Sequence, residues 1–487
     1  MVDNNIIATG YGGLDLSTGG ELVVWNRTNL TILEGKIVYV GSSLPLYQAA
    51  LIAKYKPAGV ILAIGNRNYH PLIFFKDLLI PCIAGTGLID PLPSYVFMSC
   101  KKGIIYSHSI IDDQKKNNIY EVIDTDNEEV FANIGSEEAI EISYKIGAAG
   151  IGIFRTEFTA VRMLAEHLNY LLKPNYTLEN YIIENSEADA IYLVANHSQL
   201  QIYLKEAFIK VIRLALRYFP EKSIIIRSID IERDERDSLG YRGIRRCIAE
   251  NGGVLKIIIQ ALKEISLETN HKNISLIFPL VSEYSQISIA TNMVLDSGLQ
   301  ISNSSLRNYI KIGWKIEQPS SALNTNIWLN TFFLDFDVFP HYLGIGTNDL
   351  TQFTLGVGRY IPFTVETSVV RKYIDNLYNE FDFAIIKQLI LISRSVANKN
   401  TIVIIHGELA ADNRIARLLN FLKIYPSVTV LKLNDVFNSF RKLRHFDVSF
   451  EEALNDIIDN EVVSLREKDF IKKDLKFWLQ SLSYLDQ

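Results

Sequence analysis

The chain has 487 residues, of which 48% are hydrophobic, so it is long enough to build about two or three domains with substantial cores. Its formal net charge of −6 argues against a general nucleic-acid-binding protein. It contains no apolar run of about 18 residues, which argues against a membrane span. Three cysteines form no disulfide framework and fit a reducing cytoplasm. The opening MVDNNIIATG has neither a basic start nor a long apolar stretch, so no signal peptide is predicted.

The N-terminal part of the chain alternates strand-like and helical patterns. Residues 1–30 are rich in glycine and predict no clear element. The following pattern predicts a strand at 36–40, a helix at 44–55, a strand at 58–64 and, after a turn and a short helix, a strand near 80–84. This alternation favours a small α/β domain over residues 1–110. The polar stretch at 111–128 lacks core spacing and is the predicted linker.

Beyond the linker, apolar strand-like runs separated by helical patterns recur. They lie at 129–134, 150–154, 223–227, 275–280, 310–317, 342–346, 401–405 and 427–432. Near-continuous apolar strands are typical of a parallel sheet buried on both faces. Eight of them with helices between predict a (β/α)₈ TIM barrel over residues 129–445. The charged pattern of helical period at 446–487 predicts a helical tail that packs on the barrel or on a partner.

Polar residues follow several of these strands at the point where each strand ends. They are Arg155, Thr156 and Glu157 after the second strand, Arg227 at the third, Glu317 at the fifth, Asn348 and Asp349 after the sixth, and His406 and Glu408 after the seventh. The carboxyl ends of barrel strands meet at one mouth, where such barrels carry their active sites. Each residue alone is equally well explained as a helix cap or a surface-loop residue. Capping does not explain why arginines collect at one strand end and carboxylates at two others, so we predict a site at this mouth.

Two kinds of side chain in this set point to a chemistry. Five arginines are predicted in loops or at strand ends, namely Arg155, Arg227, Arg242, Arg245 and Arg359. Guanidinium groups match phosphate and carboxylate oxygens, so they indicate a small anionic, phosphorylated ligand. The alternative treats 232–246 as a solvated charge run, although Gly240 and Gly243 flank Arg242 with flexible backbone. Glu317 and Asp349 are either oxygen ligands for Mg²⁺ or buried, paired carboxylates.

Four motifs resemble those of the phosphoenolpyruvate (PEP)-utilizing enzymes, a family that includes PEP synthase, pyruvate phosphate dikinase and the PEP–protein phosphotransferase of sugar uptake. The motifs are GAAGIGIFRTEF (147–158), IGWKIEQPSSA (312–322), GTNDLTQFTLGVGR (346–359) and HGELAAD (406–412). Their order and spacing agree with the family pattern over about 129–435. GTNDLTQ, followed at this distance by an arginine, is highly specific for the family.

The resemblance implies a barrel that binds PEP and pyruvate. It implies that the substrate's phosphoryl and carboxylate oxygens are contacted by Arg155, Arg227, Arg242 and Arg359. It also implies that Glu317 and Asp349 bind Mg²⁺, with Asn348 beside them.

The predicted first domain is similar to the mobile, swivelling phosphohistidine domain of the same family. The family pattern is Gly-Gly-x-Thr-Ser-His, with an arginine six residues later and Gly-Ile-Pro at nine to eleven. Here GNRNYH (65–70) ends at His70, Lys76 lies six residues on, and LIP occupies 79–81. The resemblance implies that His70 is the phosphocarrier, because a neutral imidazole is a competent nucleophile toward a phosphoryl group. Without the resemblance, a lone histidine between tyrosine and proline is an ordinary loop residue.

Two barrel residues depart from the family pattern. His406 stands where the family has the cysteine that handles the proton at the methyl carbon as pyruvate and PEP interconvert. A histidine with a pKa near neutrality suits this acid–base role, so we expect His406 to be the proton donor. Lys315 stands where the family usually has methionine, and strand alternation puts it on the same face as Glu317. It either pairs with Glu317 and weakens metal binding or adds a cation for a phosphate.

Together these features predict a Mg²⁺-dependent phosphotransferase that exchanges a phosphoryl group between His70 and pyruvate or PEP. The sequence shows no ATP-grasp half, and residues 1–110 have no room for the helical partner-docking insertion of the sugar-uptake enzyme. A PEP synthase-like system with a nucleotide-binding subunit in trans is therefore expected. The alternatives are a PEP-dependent phosphoryl donor to another protein or small molecule, and a catalytically degenerate homologue that binds PEP or a partner. A cytoplasmic location and a homodimer through the barrel are further expectations.

Overall fold

The structure is a computed structural model. It describes residues 6–12, 14, 16–27, 30–65, 69–107, 129–231, 241–268, 271–302, 304–357, 378–443, 449–458 and 472–474. The predicted linker, Arg359 and most of the predicted tail lie outside the described residues. The positions predicted for the domain boundaries therefore stay a prediction.

The N-terminal part forms one mixed sheet of eight strands with two helices. Its strands are β1 (Ile6–Thr9), β2 (Tyr11–Gly12), β3 (Ser17–Val24), β4 (Ile37–Val40), β5 (Gly59–Leu62), β6 (Cys82–Ala84), β7 (Tyr95–Ser99) and β8 (Ile104–Tyr106). They lie in the order β1-β8-β7-β3-β4-β5-β6-β2. Helix α1 (Leu46–Lys54) follows β4, and helix α2 (His70–Asp77) follows β5. The three strands predicted near 36–40, 58–64 and 80–84 are confirmed as β4, β5 and β6, and the glycine-rich start supplies three further strands.

The centre of this sheet is buried on both faces, which explains its unbroken apolar strands. Val38 and Val40 of β4 face a cluster that includes residues of α1 and α2. Ile37 and Tyr39 of the same strand face a second cluster with β7 and β8. Since successive side chains of a strand point to opposite faces, a strand covered on both sides reads as continuously hydrophobic.

The second part is a closed barrel of eight parallel strands. The strands that follow β8 are β9 (Phe131–Ile134), β10 (Ile151–Arg155), β11 (Leu171–Lys173), β12 (Tyr176–Thr177), β13 (Ile224–Arg227), β14 (Ile274–Phe278), β15 (Lys311–Ile316), β16 (Tyr342–Gly346), β17 (Ile402–His406) and β18 (Ile424–Thr429). The barrel runs β9-β10-β13-β14-β15-β16-β17-β18 and closes between β18 and β9, while β11 and β12 form a separate hairpin. The predicted TIM barrel is confirmed. The eighth strand lies earlier than the predicted 427–432, because 430–432 form a 3₁₀ turn.

Helices alternate with the barrel strands and form the outer layer. They are α3 (Glu137–Ile146), α4 (Thr156–Glu166), α5 (Leu178–Glu184), α6 (Glu187–Asn196), α7 (Leu200–Tyr218), α8 (Gly243–Ala249), α9 (Gly253–Glu268), α10 (Tyr284–Asp296), α11 (Pro319–Leu323), α12 (Thr325–Phe336), α13 (Thr347–Leu355), α14 (Phe383–Ser395), α15 (Ala416–Leu422), α16 (Leu433–Leu443) and α17 (Phe450–Ile458). Helix α17 belongs to the predicted helical tail and packs on α15. Among the described helices, none has the length and apolar character needed to cross a bilayer.

The N-terminal sheet is held against the barrel by its two helices. The ring of Phe74 in α2 meets that of Phe158 in α4 edge to face, with centroids 5.2 Å apart. At the start of α1, the backbone N–H of Tyr47 donates to Glu187 Oε2 at 2.9 Å. At the end of α2, Ser136 Oγ donates to the carbonyl of Asp77 at 2.9 Å and also accepts from Ala139 N at 3.1 Å, which caps α3. These contacts bring the start of α2 to the carboxyl-terminal mouth of the barrel.

Ser136→Ala is expected to lower the free energy of unfolding by about 1–2 kcal/mol, because it removes both the helix cap and the hydrogen bond to α2. Urea denaturation measures the loss, and hydrogen–deuterium exchange should show faster exchange in α2. Ser186→Ala is the matched control, since Ser186 caps α6 by accepting from Asp189 N at 3.0 Å. It should cost about 1 kcal/mol and leave exchange in α2 unchanged. Equal exchange in α2 for the two variants would contradict this assignment.

Candidate active site

A cavity of about 110 Å³ lies at the barrel mouth, under the start of α2. The polar residues predicted at strand ends converge on it. Its walls include Arg155 at the end of β10, Arg227 at the end of β13, Glu317 after β15, Asn348 and Asp349 after β16, and His406 at the end of β17, together with Arg242 and His70. Parallel strands of a barrel end at the same rim, so residues far apart in sequence meet here.

Arg227 is a fixed cation in the wall of this cavity. Its guanidinium donates to Glu157 Oε1 and, at 3.2 Å, to Asp230 Oδ2. Burial lowers the pKa of Arg227, but the nearby carboxylates of Glu157 and Asp230 outweigh this effect and raise the pKa above its ordinary value. Arg227 therefore stays charged and its orientation is set by two carboxylates.

Arg242 is buried in the same wall, with 5% of its surface exposed. Its Nη2 donates to Asp349 Oδ1 at 2.9 Å, and its Nε lies 3.1 Å from Asp230 Oδ1. The alternative of a solvated charge run is thus wrong for Arg242, although 232–240 lie outside the described residues. Arg245 differs from the other predicted arginines, because it lies in α8, donates to Ser282 Oγ at 2.9 Å and is not part of the cavity wall.

Arg155 links the barrel mouth to the helix that carries His70. Its Nη1 donates to Asp77 Oδ2 at 2.9 Å, and Asp77 is the last residue of α2. Burial raises the pKa of Asp77, while the neighbouring Arg155 opposes this shift. No local pattern identifies Asp77, because its partner Arg155 lies 78 residues away in the chain.

His70 is the first residue of α2 and forms part of the cavity wall. The structure therefore places it at a helix start facing the barrel. The preceding residue, Tyr69, is buried, and its hydroxyl accepts from Leu44 N at 2.9 Å and donates to Leu44 O at 3.2 Å. Tyr69 departs from the family pattern, and here it ties the start of α2 to the loop before α1.

Each carboxylate oxygen of Glu317 accepts a hydrogen bond from the chain. Lys315 Nζ donates to its Oε1, and the backbone N–H of Leu280 donates to its Oε2 at 2.8 Å. Glu317 is 1% exposed and Lys315 is 4% exposed. The predicted placement of Lys315 on the same face as Glu317 is confirmed, and of its two predicted roles the pairing with Glu317 is the one observed.

These contacts do not fit a divalent cation at Glu317 and Asp349. Mg²⁺ requires about six oxygen ligands in near-octahedral geometry. Both oxygens of Glu317 accept from chain donors, and Asp349 Oδ1 accepts from Arg242. Within the part of the chain that the structure describes, no group of three or more His, Cys, Asp or Glu side chains could hold a metal ion. Magnesium therefore stays a prediction from the resemblance that these contacts do not support.

His406 is held as a neutral ring in a defined tautomer. The side-chain amide of Asn133 donates to Ser427 O at 2.9 Å, and its Oδ1 accepts from Ser427 Oγ at 2.6 Å. These bonds fix the orientation of the amide, so Asn133 Oδ1 is available to His406 only as an acceptor. His406 Nδ1, which lies 3.2 Å from it, therefore carries the ring proton and donates it to Asn133. Burial, and then the positive charges of Lys315, Arg227 and Arg155, lower the pKa of His406 well below its usual 6.5.

This arrangement bears on the predicted role of His406 as a proton donor. With the proton on Nδ1 donated to Asn133, the other ring nitrogen carries a lone pair. To deliver a proton from Nε2 the ring would first have to gain one, which its buried and positively charged surroundings disfavour. The predicted role of proton donor is thus not supported by the geometry.

Several residues that build the mouth were not predicted from the sequence. Asn133 is the one polar residue of β9, and a polar side chain inside an otherwise apolar strand is a signal that could have identified it. Glu380 is another, because its Oε2 accepts from Thr347 Oγ1 at 2.7 Å and from Leu409 N at 3.0 Å. It thereby ties together the chain segments that follow β16 and β17. No local pattern singles out Glu380.

Comparison with known proteins places the chain in a family. Residues 112–430 match the family described as PEP-utilising enzyme, PEP-binding domain. The chain is 25% identical over 482 residues to the phosphoenolpyruvate-protein phosphotransferase of Buchnera aphidicola subsp. Acyrthosiphon pisum, with 89% of this chain and 73% of that protein covered. It is 23% identical over 480 residues to the protein of the same name from Listeria monocytogenes, with 90% and 73% covered.

The chain is also similar to the phosphoenolpyruvate synthase of Pseudomonas aeruginosa. The two are 25% identical over 326 residues, which cover 62% of this chain and 39% of that protein.

His406 is expected to stay neutral, with its proton on Nδ1, from about pH 8 down to about pH 5.5, because its pKa lies well below 6.5. NMR of ¹⁵N-histidine-labelled protein reports the tautomer, and His406→Gln identifies the signal. In the unfolded chain this histidine gains a proton near pH 6.5 and in the folded chain it does not. Stability should therefore fall below pH 6.5 by at most about 1.4 kcal/mol per pH unit from this residue. A signal that titrates near pH 6.5 would contradict the assignment.

Proposed function

Because the chain belongs to the family of PEP-utilising enzymes, we propose that it transfers a phosphoryl group between PEP, bound at the barrel mouth, and His70. The observation that carries this proposal is that His70 shares one cavity with the cations of the barrel. A phosphoryl group on His70 would lie at the start of α2, where the helix dipole favours negative charge.

The chemistry of this step divides between the two parts of the chain. In the forward direction a bare ring nitrogen of His70 forms a bond to phosphorus, and the bond from phosphorus to the enol oxygen of PEP breaks. The enolate of pyruvate is the leaving group, and a proton from solvent water at its methylene carbon completes pyruvate. Arg155, Arg227 and Arg242 stabilise charge on the transferring group and on the enolate oxygen. Their orientation is fixed by carboxylates before the ligand arrives, which lowers the reorganisation that the step requires.

Arg155 also couples this chemistry to the position of α2. In the docked arrangement its guanidinium is bonded to Asp77, the last residue of the helix that His70 begins. The same arginine is one of those that the proposed substrate would contact. We therefore expect the approach of His70 and the binding of PEP to be linked through Arg155.

For the final acceptor of the phosphoryl group we propose another protein. The relatives named phosphoenolpyruvate-protein phosphotransferase align with 89–90% of this chain, and the alignment includes the part that carries His70. A PEP synthase-like reaction, with a separate nucleotide-binding subunit, is the second candidate, and the likeness to the Pseudomonas synthase favours it. In both reactions the exchange between PEP and His70 is the same.

Incubation with PEP labelled with ³²P at its phosphoryl group is expected to label the protein at His70. His70→Ala should lower labelling at least about a hundredfold, because no other nucleophile takes the place of the imidazole. His271→Ala is the matched control and should label like the parent. His271 lies before β14, away from the mouth, with its Nδ1 3.1 Å from Pro220 O.

Two outcomes would count against the proposal. Labelling of His70→Ala equal to that of the parent would show that His70 is not the carrier. Binding of PEP by calorimetry without any label transfer would instead support a degenerate homologue. If label transfer occurs, the labelled protein can be offered either to a small phosphocarrier protein or to AMP and phosphate with an ATP-grasp protein, and loss of label identifies the acceptor.

A further inference from the structure

We propose that the ammonium group of Lys315 takes the place of a divalent metal ion at the barrel mouth, so that this chain binds PEP with protein cations alone. The identity of the ligand rests on the proposed function. The inference about the cation rests on the contacts of Lys315 and Glu317.

The first argument is the hydrogen bonding of Glu317. This carboxylate would supply the metal ligand, yet Lys315 holds its Oε1 and the backbone N–H of Leu280 holds its Oε2. Both side chains are almost fully buried, so the pair is shielded from water. A metal ion would have to displace an ammonium group from a buried carboxylate and then remain beside it as a like charge.

The second argument is that the barrel wall is shaped to accept Lys315. Gly344 of β16 lies opposite Lys315 in the parallel register. A Cβ atom added at Gly344 would lie 3.3 Å from Lys315 Cγ and 3.2 Å from His406 Nε2. The two barrel residues that depart from the family pattern, Lys315 and His406, therefore both lie close to the position where a Gly344 side chain would stand. A side chain at position 344 would crowd Lys315, and glycine there leaves room for it.

The third argument is charge balance in the cavity. Apart from the two histidines, its charged residues are four cations and four carboxylates, namely Arg155, Arg227, Arg242 and Lys315, and Glu157, Asp230, Glu317 and Asp349. Without Lys315 the carboxylates would be in excess, which is the condition that favours a bound cation. With it the described wall is neutral, and a further divalent ion has no net negative charge to compensate.

The ammonium group also has capacity for a ligand. It carries three N–H donors. Among the described residues Glu317 Oε1 is its one hydrogen-bond acceptor, so two donors remain for an anionic oxygen in the cavity that Lys315 lines. The ligand class that fits is a small phosphorylated carboxylate, bound without Mg²⁺.

Titration of the full chain with Mn²⁺ alone, followed by the electron paramagnetic resonance of the free ion, tests the cation without reference to PEP. We expect the parent to have no Mn²⁺ site at Glu317, so Glu317→Gln should leave Mn²⁺ binding unchanged. Lys315→Met, which keeps an unbranched, flexible side chain and removes its charge, should gain one site per chain, at least about tenfold tighter than any in the parent. Lys311→Met is the matched control, because Lys311 begins the same strand at the opposite end of the barrel, and it should gain none.

Calorimetric titration with PEP, in Mg²⁺ and in EDTA, tests the consequence for the ligand. The parent and Lys311→Met should bind PEP with affinities that agree within about twofold in the two conditions. Lys315→Met should bind about tenfold or more weakly in EDTA and recover in Mg²⁺. A parent affinity that falls about tenfold in EDTA would overturn the inference and leave the proposed phosphoryl transfer intact.

The remaining outcomes also decide between the two proposals. If the parent binds PEP in neither condition, the proposed function fails, and the Mn²⁺ titration alone judges the role of Lys315. A parent Mn²⁺ site that Glu317→Gln removes, or a folded Lys315→Met variant without a new site, counts against the inference. If Lys315→Met does not fold, an absent Mn²⁺ site and an EDTA-insensitive PEP affinity in the parent support it.

Discussion

The mouth of the barrel depends on the rule that a charge removed from water must be paired. Arg227, Arg242 and Lys315 are buried, and each is bonded to at least one carboxylate. Leaving one member of such a pair alone would cost about 3–5 kcal/mol, so the set behaves as a unit whose members fix one another. The cations are therefore oriented and charged before any ligand binds. This preorganisation is what a site for a phosphorylated anion requires.

The same rule connects the two parts of the chain. Arg155 is paired with Asp77 of α2, and Glu187 of the barrel accepts from the backbone at the start of α1. Burial raises the pKa of Glu187 to about 7, while the backbone hydrogen bonds oppose the shift. The contact between the sheet and the barrel thus combines apolar packing with polar pairs at both helices. A helix held in this way presents His70 to the cavity, and release of these few pairs is what undocking would require.

His406 and Lys315 are best understood together. Each departs from the family pattern, and both lie against Gly344. The positive charge of Lys315 is one reason why the pKa of His406 is lowered, after burial itself. A charged lysine beside a neutral histidine avoids the repulsion that two neighbouring cations would have. The charge of Lys315 therefore helps to explain why His406 is neutral. Neither residue requires that the chain has lost its catalytic activity.

The sequence by itself determined the eight barrel strands, three of the four parallel strands of the N-terminal sheet and the rim on which the polar residues gather. These follow from local patterns, because a strand buried on both faces is apolar throughout and its carboxyl end lies at one rim. It also placed Lys315 and Glu317 on one face, since strand alternation is local. Only the tertiary structure decided which charges pair. Asp77 with Arg155, Asn133 with His406 and Arg242 with Asp349 join residues 78, 273 and 107 positions apart. Such pairs depend on barrel closure and on the docking of α2, and no short stretch of sequence encodes either.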